Sequence, residues 1–332
     1  MAKFTPRRGL LAATAIVVVG TLSFWLFFRK QPLLPEEALV QPQSAAFLVY
    51  TAATDDPLFD GDGGPAGASI LRLPAQRLRQ IKELLPLRVL AVLGPVRGQD
   101  RPLTVAVSLT RAIPLTQWYV AQTAQLVETY RGQSIRAPIG AKGYLAQVAN
   151  RLLWSSERRE LRGAIDSLTS GQPPTLPQRF SDLRSSDFSP VGSGAFYLFN
   201  DGQPFTIVSA DGGATRLRLP AGFVGLSFYF DLAGADALSG RGRLHFRDPA
   251  EAAAQLPTIR ALLDSAASQV NGKLSYQIEP AGAADLSLTL RCGGLRQELS
   301  RALSGAARAL KPTGAPAATS NTEERQGPGS GH

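Results

Sequence analysis

The chain has 332 residues, 44% of them hydrophobic, and a formal net charge of +9. Five of the 35 basic residues and none of the acids lie in residues 1–30, which leaves 30 basic against 26 acidic, or +4, for the rest. That balance is too mild for a nucleic-acid binder. The single cysteine excludes an internal disulfide framework, and roughly 300 residues can bury a core without one.

The first element is an uncharged apolar run from Gly9 to Phe28, bounded by Arg7 and Arg8 before it and by Arg29 and Lys30 after it. About twenty residues at 1.5 Å rise cross a hydrocarbon core of roughly 30 Å, so a membrane-spanning helix is expected. The run ends in Phe24, Trp25, Leu26, Phe27 and Phe28, bulky groups where signal-peptide cleavage needs small ones, and the one cysteine, Cys292, stands far from a lipidation position. An uncleaved anchor follows, with Trp25 near the outer interface and the amino end inside. The expected location is a bacterial inner membrane, with the rest of the chain in the periplasm.

Residues 31–44 carry Pro32, Pro35 and Pro42 and read as a stiff linker. A first strand is expected at Ala45–Thr51, a turn-rich loop over 54–68, and a helix at Leu71–Leu85 from the spacing of Leu78, Ile81 and Leu85. Strands follow at Val89–Val96 and Leu103–Leu109. From Pro114 a helix is expected to bury Leu115, Trp118, Tyr119, Leu126, Val127 and Tyr130. A strand near Ser134–Ile139 and a hairpin through Gly143–Trp154 come next. A helix then opens at Glu157 and Glu160 and buries Leu161, Ala164, Ile165 and Leu168. Gly171–Pro177 is the expected boundary between a first lobe, 45–172, and a second, 173–310.

In the second lobe, Ala195–Phe199 reads as a strand and Asp211–Gly212 as a hairpin turn. Val224 to Leu232 alternates in a half-buried strand, and Leu244 and Phe246 mark its neighbour. Asp248–Pro249 is an N-cap followed by proline at the first helical position. The helix behind it places Leu256, Ile259, Leu263, Ala266 and Val270 on one face, with a kink expected at Pro257. A final strand pair runs through Leu274–Ile278 and Leu286–Leu290, with Cys292 on its buried phase. A last helix uses Leu295, Leu299, Leu303, Ala306 and Leu310. Residues 311–332 read as a disordered tail.

Runs of strands between amphipathic helices imply an α+β fold: two related lobes of antiparallel sheet with helices on one face. The shared element order suggests an internal repeat. AAFLVY after a Pro-rich linker, LLWSSERRELRGAIDSLTSG followed by LPQRF, and RDPAEAAAQL after a strand resemble a group of bacterial membrane-anchored ectodomain proteins of unknown function. That resemblance implies one amino-terminal anchor plus tandem α+β lobes, and no activity.

Few residues carry chemistry. His245, His332 and Cys292 form no metal-ligand spacing, and no GxSxG, Walker or HExxH sequence occurs. Neither a catalytic constellation, a metal site nor a cofactor is expected. Asp55, Asp56, Asp60 and Asp62 in the 54–68 loop lack the spacing of a calcium loop, so solvated carboxylates are expected there. Strand alternation turns Leu217, Leu219, Leu244 and Phe246 inward. It therefore turns Arg216, Arg218, Arg241, Arg243, His245 and Arg247 outward, as a candidate anion-binding face. The sequence thus points to a non-catalytic ectodomain that binds or scaffolds an envelope protein or an anionic surface. A binder of lipid or another hydrophobic ligand is the alternative, and an enzyme the third reading. Membrane lipid is the expected partner of the anchor, and nucleic acid is not expected.

Overall fold

The computed structural model describes residues 32–52, 86–97, 101–110, 123–139, 142–184, 194–203, 205–208, 214–217, 219–220, 222–232, 237–269 and 274–294. The anchor run, the 54–68 loop, the helices expected at Leu71–Leu85 and from Leu295, and the tail lie outside the described residues. Among the described residues no helix is long and apolar enough to cross a membrane.

In chain order the first elements are β1 (Ala46–Ala52), β2 (Leu87–Leu93), β3 (Leu103–Leu109), β4 (Ala124–Tyr130), β5 (Gln133–Pro138), β6 (Tyr144–Val148), β7 (Arg151–Ser155), α1 (Arg158–Thr169) and α2 (Gln178–Ser181). There follow β8 (Gly194–Phe199), β9 (Phe205–Val208), β10 (Ala214–Leu217), β11 (Phe223–Leu232), β12 (Ala237–Phe246), α3 (Pro249–Gln269), β13 (Leu274–Ala281) and β14 (Asp285–Gly293). Twelve of the strands form one antiparallel sheet in the order β13-β14-β12-β11-β8-β1-β2-β3-β7-β6-β5-β4, while β9 and β10 make a separate ribbon.

The fold is an antiparallel, sheet-rich α+β architecture. Strands from either side of the Gly171–Pro177 break join one continuous sheet, because β1 pairs with β8. Outward from that seam the order on one side is β1-β2-β3-β7-β6-β5-β4 and on the other β8-β11-β12-β14-β13. With hairpin β4–β5 and ribbon β9–β10 set aside, each side runs first, second, third, last, penultimate.

The seam is aromatic. Phe47 of β1 lies opposite Tyr197 of β8 with the rings stacked at 4.6 Å, and Phe180 of α2 meets Phe47 edge-on at 5.1 Å. Tyr197 shares a 2.7 Å hydroxyl–hydroxyl hydrogen bond with Tyr229 of β11. Cross-strand aromatic pairs of this kind stabilise a sheet by up to about 1 kcal/mol each.

The helices cover both faces, not the one face expected. On β8, Ala195 and Tyr197 join the core beneath α1, with Leu161 and Ile165, while the intervening face carries Leu198 into the core beneath α3, with Ile259. Adjacent strand residues point oppositely, so α1 and α3 lie on opposite sides. The expected N-cap forms: Asp248 Oδ1 accepts the Glu251 backbone N–H at 2.8 Å, and α3 runs unbroken through Pro257.

Two local expectations change. Leu126, Val127 and Tyr130 are not helical but lie on edge strand β4. Arg131 and Gly132, both at positive φ (47° and 76°), close a two-residue turn that pairs Tyr130 with Gln133. Cys292 keeps the expected phase beside Leu288 and Leu290 but is half-buried and not fully buried as expected.

The stretch read as a linker is packed into the core. Leu34, Leu39 and Val40 are buried, and the Leu34 backbone N–H donates to Ser108 Oγ at 2.6 Å. The Asn150 side-chain amide donates to the carbonyls of Leu109 and Pro32. Residues 32–44 therefore belong to the packed body and are not a free tether.

Candidate functional site

The arginine-bearing strand owes its form to two glycines. A Cβ at Gly240 would lie 2.4 Å from Phe228 Cζ, and one at Gly242 would lie 2.6 Å from Phe228 Cδ2 and 2.7 Å from the Ser227 carbonyl. The Phe228 ring thus lies over both glycines, and Arg241 and Arg243 are the alternating residues on the other face. Their ladder partners on β11 are Tyr229 and Ser227, and His245 stands opposite Gly225.

The six residues of the expected anion face are only partly brought together. Arg241, Arg243 and His245 share one face of β12, and Arg247 follows the strand end, exposed, its backbone N–H bonded to the Gly222 carbonyl. Arg216 sits on β10, which pairs with β9 and not with β12, so the expected pair of neighbouring arginine strands does not form. Arg218 lies outside the described residues.

The face also carries an acid. β12 also pairs with β14, which places Asp285 opposite His245. Asp285 Oδ1 lies 3.2 Å from His245 Nδ1, and Asp285 Oδ2 lies 3.9 Å from Arg243 Nη1. On the other side of the imidazole, Nε2 is 3.4 Å from Ser227 Oγ. The His245 side chain is only 15% exposed. Burial pushes its pKa below the ordinary value, while the Asp285 carboxylate and the backbone of Leu183 pull it back up and Arg243 lowers it further. The imidazole is neutral near pH 7.

Sequence reasoning missed this Ser227–His245–Asp285 line. Alternation along FVGLSFYFDL places Ser227 and Tyr229 on a common face, but the β12–β14 pairing that delivers Asp285 spans a 21-residue helix and has no local signature. A neutral histidine between an acid and a hydroxyl is the arrangement that activates a serine nucleophile. Here Ser227 has no exposed surface, so its hydroxyl meets the ring and not a substrate. The line serves to pair polar groups inside the sheet.

A second polar joint ties the two halves. Arg101, before β3, forms a fork with Asp201, after β8, at 2.7 and 2.8 Å. Burial is the largest single influence on Asp201 and would raise its pKa, but the Arg101 hydrogen bonds and charge together with the backbone N–H of Gln203 hold the carboxyl below its ordinary value. Among the described residues no group of three or more His, Cys, Asp or Glu side chains is placed to hold a metal ion.

No family profile and no curated protein matches the sequence, so the group it resembles in its motifs gains no support from these comparisons. Among solved structures, TP0453 in crystal form IV is similar over 82% of this chain and 97% of its own, at 12% identity and a TM-score of 0.48. So distant a likeness has no bearing on function.

Proposed function

We propose that the chain is a single-pass protein of the bacterial inner membrane, amino end cytoplasmic, whose periplasmic body binds or scaffolds an envelope partner without catalysis. The observation that carries this reading is how near in sequence the packed body comes to the apolar run. Leu34 is 1% exposed and hydrogen-bonded to β3, six residues beyond Phe28, the end of the uncharged apolar run. A body fastened that close to a spanning segment is held as a fixed surface above the bilayer.

Two features favour surface contact over an enclosed ligand or a reaction. The central strands are covered by side chains on both faces. Among the described residues, the cleft between strands and α1 lined by Leu39, Val92, Thr104 and Ala164 offers about 10 Å³, room for one water, and the roomier hollow of about 530 Å³ beside Tyr144, Glu157, Arg158 and Arg162 lies open at the surface. Crosslinking in intact membranes, followed by mass spectrometry of the purified full chain, tests the reading. A discrete protein adduct with no stoichiometric apolar ligand is expected. A lipid or other apolar molecule co-purifying at one per chain would replace this reading with the ligand-binding one.

A further inference from the structure

Among the described residues five large apolar side chains are exposed, and three of them, Leu126, Val127 and Ile139, belong to hairpin β4–β5 and its end. Exposed apolar groups gathered in one place mark contact surfaces. Strand β4 is also an edge, pairing among the described residues with β5 alone. The Ile139 N–H donates to the Thr123 carbonyl at 3.0 Å, and alternation from that pair turns the backbone N–H and carbonyl of Leu126 away from β5. At the opposite edge of the sheet β13 is blunted by Pro280, whereas β4 has a bulge at Val127 but no proline.

Beside this edge, on the face covered by α1, lies the open hollow of about 530 Å³. Arg136 of β5 pairs with Leu145 of β6, which puts Ala137 beside Tyr144, and Ala137 in turn lies opposite Gln125 of β4. Tyr144 lines the hollow, so its floor continues across Ala137 and Gln125 to the edge. The wall is the first turn of α1, with Arg158, Arg159 and Arg162. Glu128 takes the Arg162 fork and lies 4.0 Å from Arg158, while Arg97 holds Glu157 and Glu160. Arg159 and Lys142 are exposed, and among the described residues no acid pairs with either. Five basic side chains against three carboxylates leave the wall positive.

The groove also lies away from the end of the sheet where the chain enters the body. Asn150 in the β6–β7 turn bonds the Pro32 carbonyl, and Tyr144 begins β6 at its other end, about 17 Å away. With the apolar run spanning, the headgroup layer of some 5–8 Å lies next to Pro32 and not next to the groove. That favours a protein over the lipid surface as occupant.

We propose that the groove between α1 and hairpin β4–β5 docks an extended, acidic segment of an envelope protein. Its carboxylates meet Arg158 and Arg159, its apolar side chains pack on Tyr144 and Ile139, and its main chain meets the edge at Leu126. This rests on the scaffolding reading above and gives it a surface and a partner chemistry.

The test uses the full chain in phosphatidylcholine nanodiscs, with Cys292→Ser and one fluorophore, either at Gln125→Cys beside the groove or at Gln277→Cys on the far edge. The probe is a synthetic peptide of alternating aspartate and leucine. A saturable change is expected at 125 and none at 277, and the same peptide with asparagine for aspartate should give neither. Arg158→Gln and Arg159→Gln should each weaken binding about two- to fivefold, and the Lys replacements should keep most of it. Equal responses at the two labels, equal binding of the asparagine peptide, or an affinity unchanged by the Gln variants would overturn the site. The first two comparisons decide even if a Gln variant fails to fold. In intact membranes, a photoreactive group at 125 should form its adduct with an acidic segment of one protein. An adduct with lipid or with a second copy of this chain would overturn the proposal. Protein adducts elsewhere on the body with none at 125 would overturn the groove alone. No protein adduct from any surface position would overturn the scaffolding reading with it.

Discussion

His245 is held between the Asp285 carboxylate and the Ser227 hydroxyl, and burial outweighs the acid in setting its charge. A histidine whose folded pKa is depressed leaves the native state unprotonated while the unfolded chain gains a proton. Its contribution is thus complete above the ordinary value of 6.5 and is lost as pH falls through the depressed folded value. Urea melts at a series of pH values should show stability falling below pH 6.5, before most carboxylates titrate. His245→Gln should flatten that limb, and an unchanged limb would mean that the ring is not what titrates. The same burial governs Ser227. A fluorophosphonate probe should leave the native chain unlabelled, whereas stoichiometric modification at Ser227 would restore the enzyme reading.

Elements depend on neighbours that the local sequence does not name. Hairpin β4–β5 is fastened to α1 by the Arg162 fork on Glu128, by the Tyr130 hydroxyl donating to Asp166 at 2.9 Å, and by Arg131 on Asp166 at 2.6 Å. Glu128→Gln removes a surface pair that solvent screens, and should shift the midpoint of a denaturant melt only slightly. Gly242→Val drives a side chain into Phe228 and the Ser227 carbonyl, and should cost about 1–3 kcal/mol. These contacts also mark what the sequence could tell. β3 runs Leu103–Leu109 as read, although the face it buries most deeply is Thr104, Ala106 and Ser108 and Leu103 is exposed, whereas Leu161, Ala164 and Ile165 of α1 are buried as their spacing requires. β4 was not legible, because Leu126, Val127 and Tyr130 fit a helical period as well, and only the Arg131–Gly132 turn decides for a strand. The Asp285 contact was illegible for another reason. Pairing between β12 and β14 is settled by packing across the sheet, and no residue near either strand encodes it.

At the scale of the whole molecule, one sheet runs through both halves, and the pairing of β1 with β8 is reinforced by the Arg101–Asp201 fork. Arg101 is 7% exposed and Asp201 20%, so Arg101→Met leaves a poorly solvated carboxylate and should cost about 2–3 kcal/mol. A loss under about 0.5 kcal/mol would mean that the fork is solvated in solution. The packing of Leu34 against β3 extends the same body to within a few residues of the apolar run, so retention of that run decides how the molecule works. Amino-terminal sequencing of the chain recovered from alkaline-washed membranes tests this most directly. Expected is a sequence beginning at Met1 or Ala2, entirely in the membrane pellet. A mature chain beginning after Lys30, or an intact chain in the soluble fraction, would contradict it.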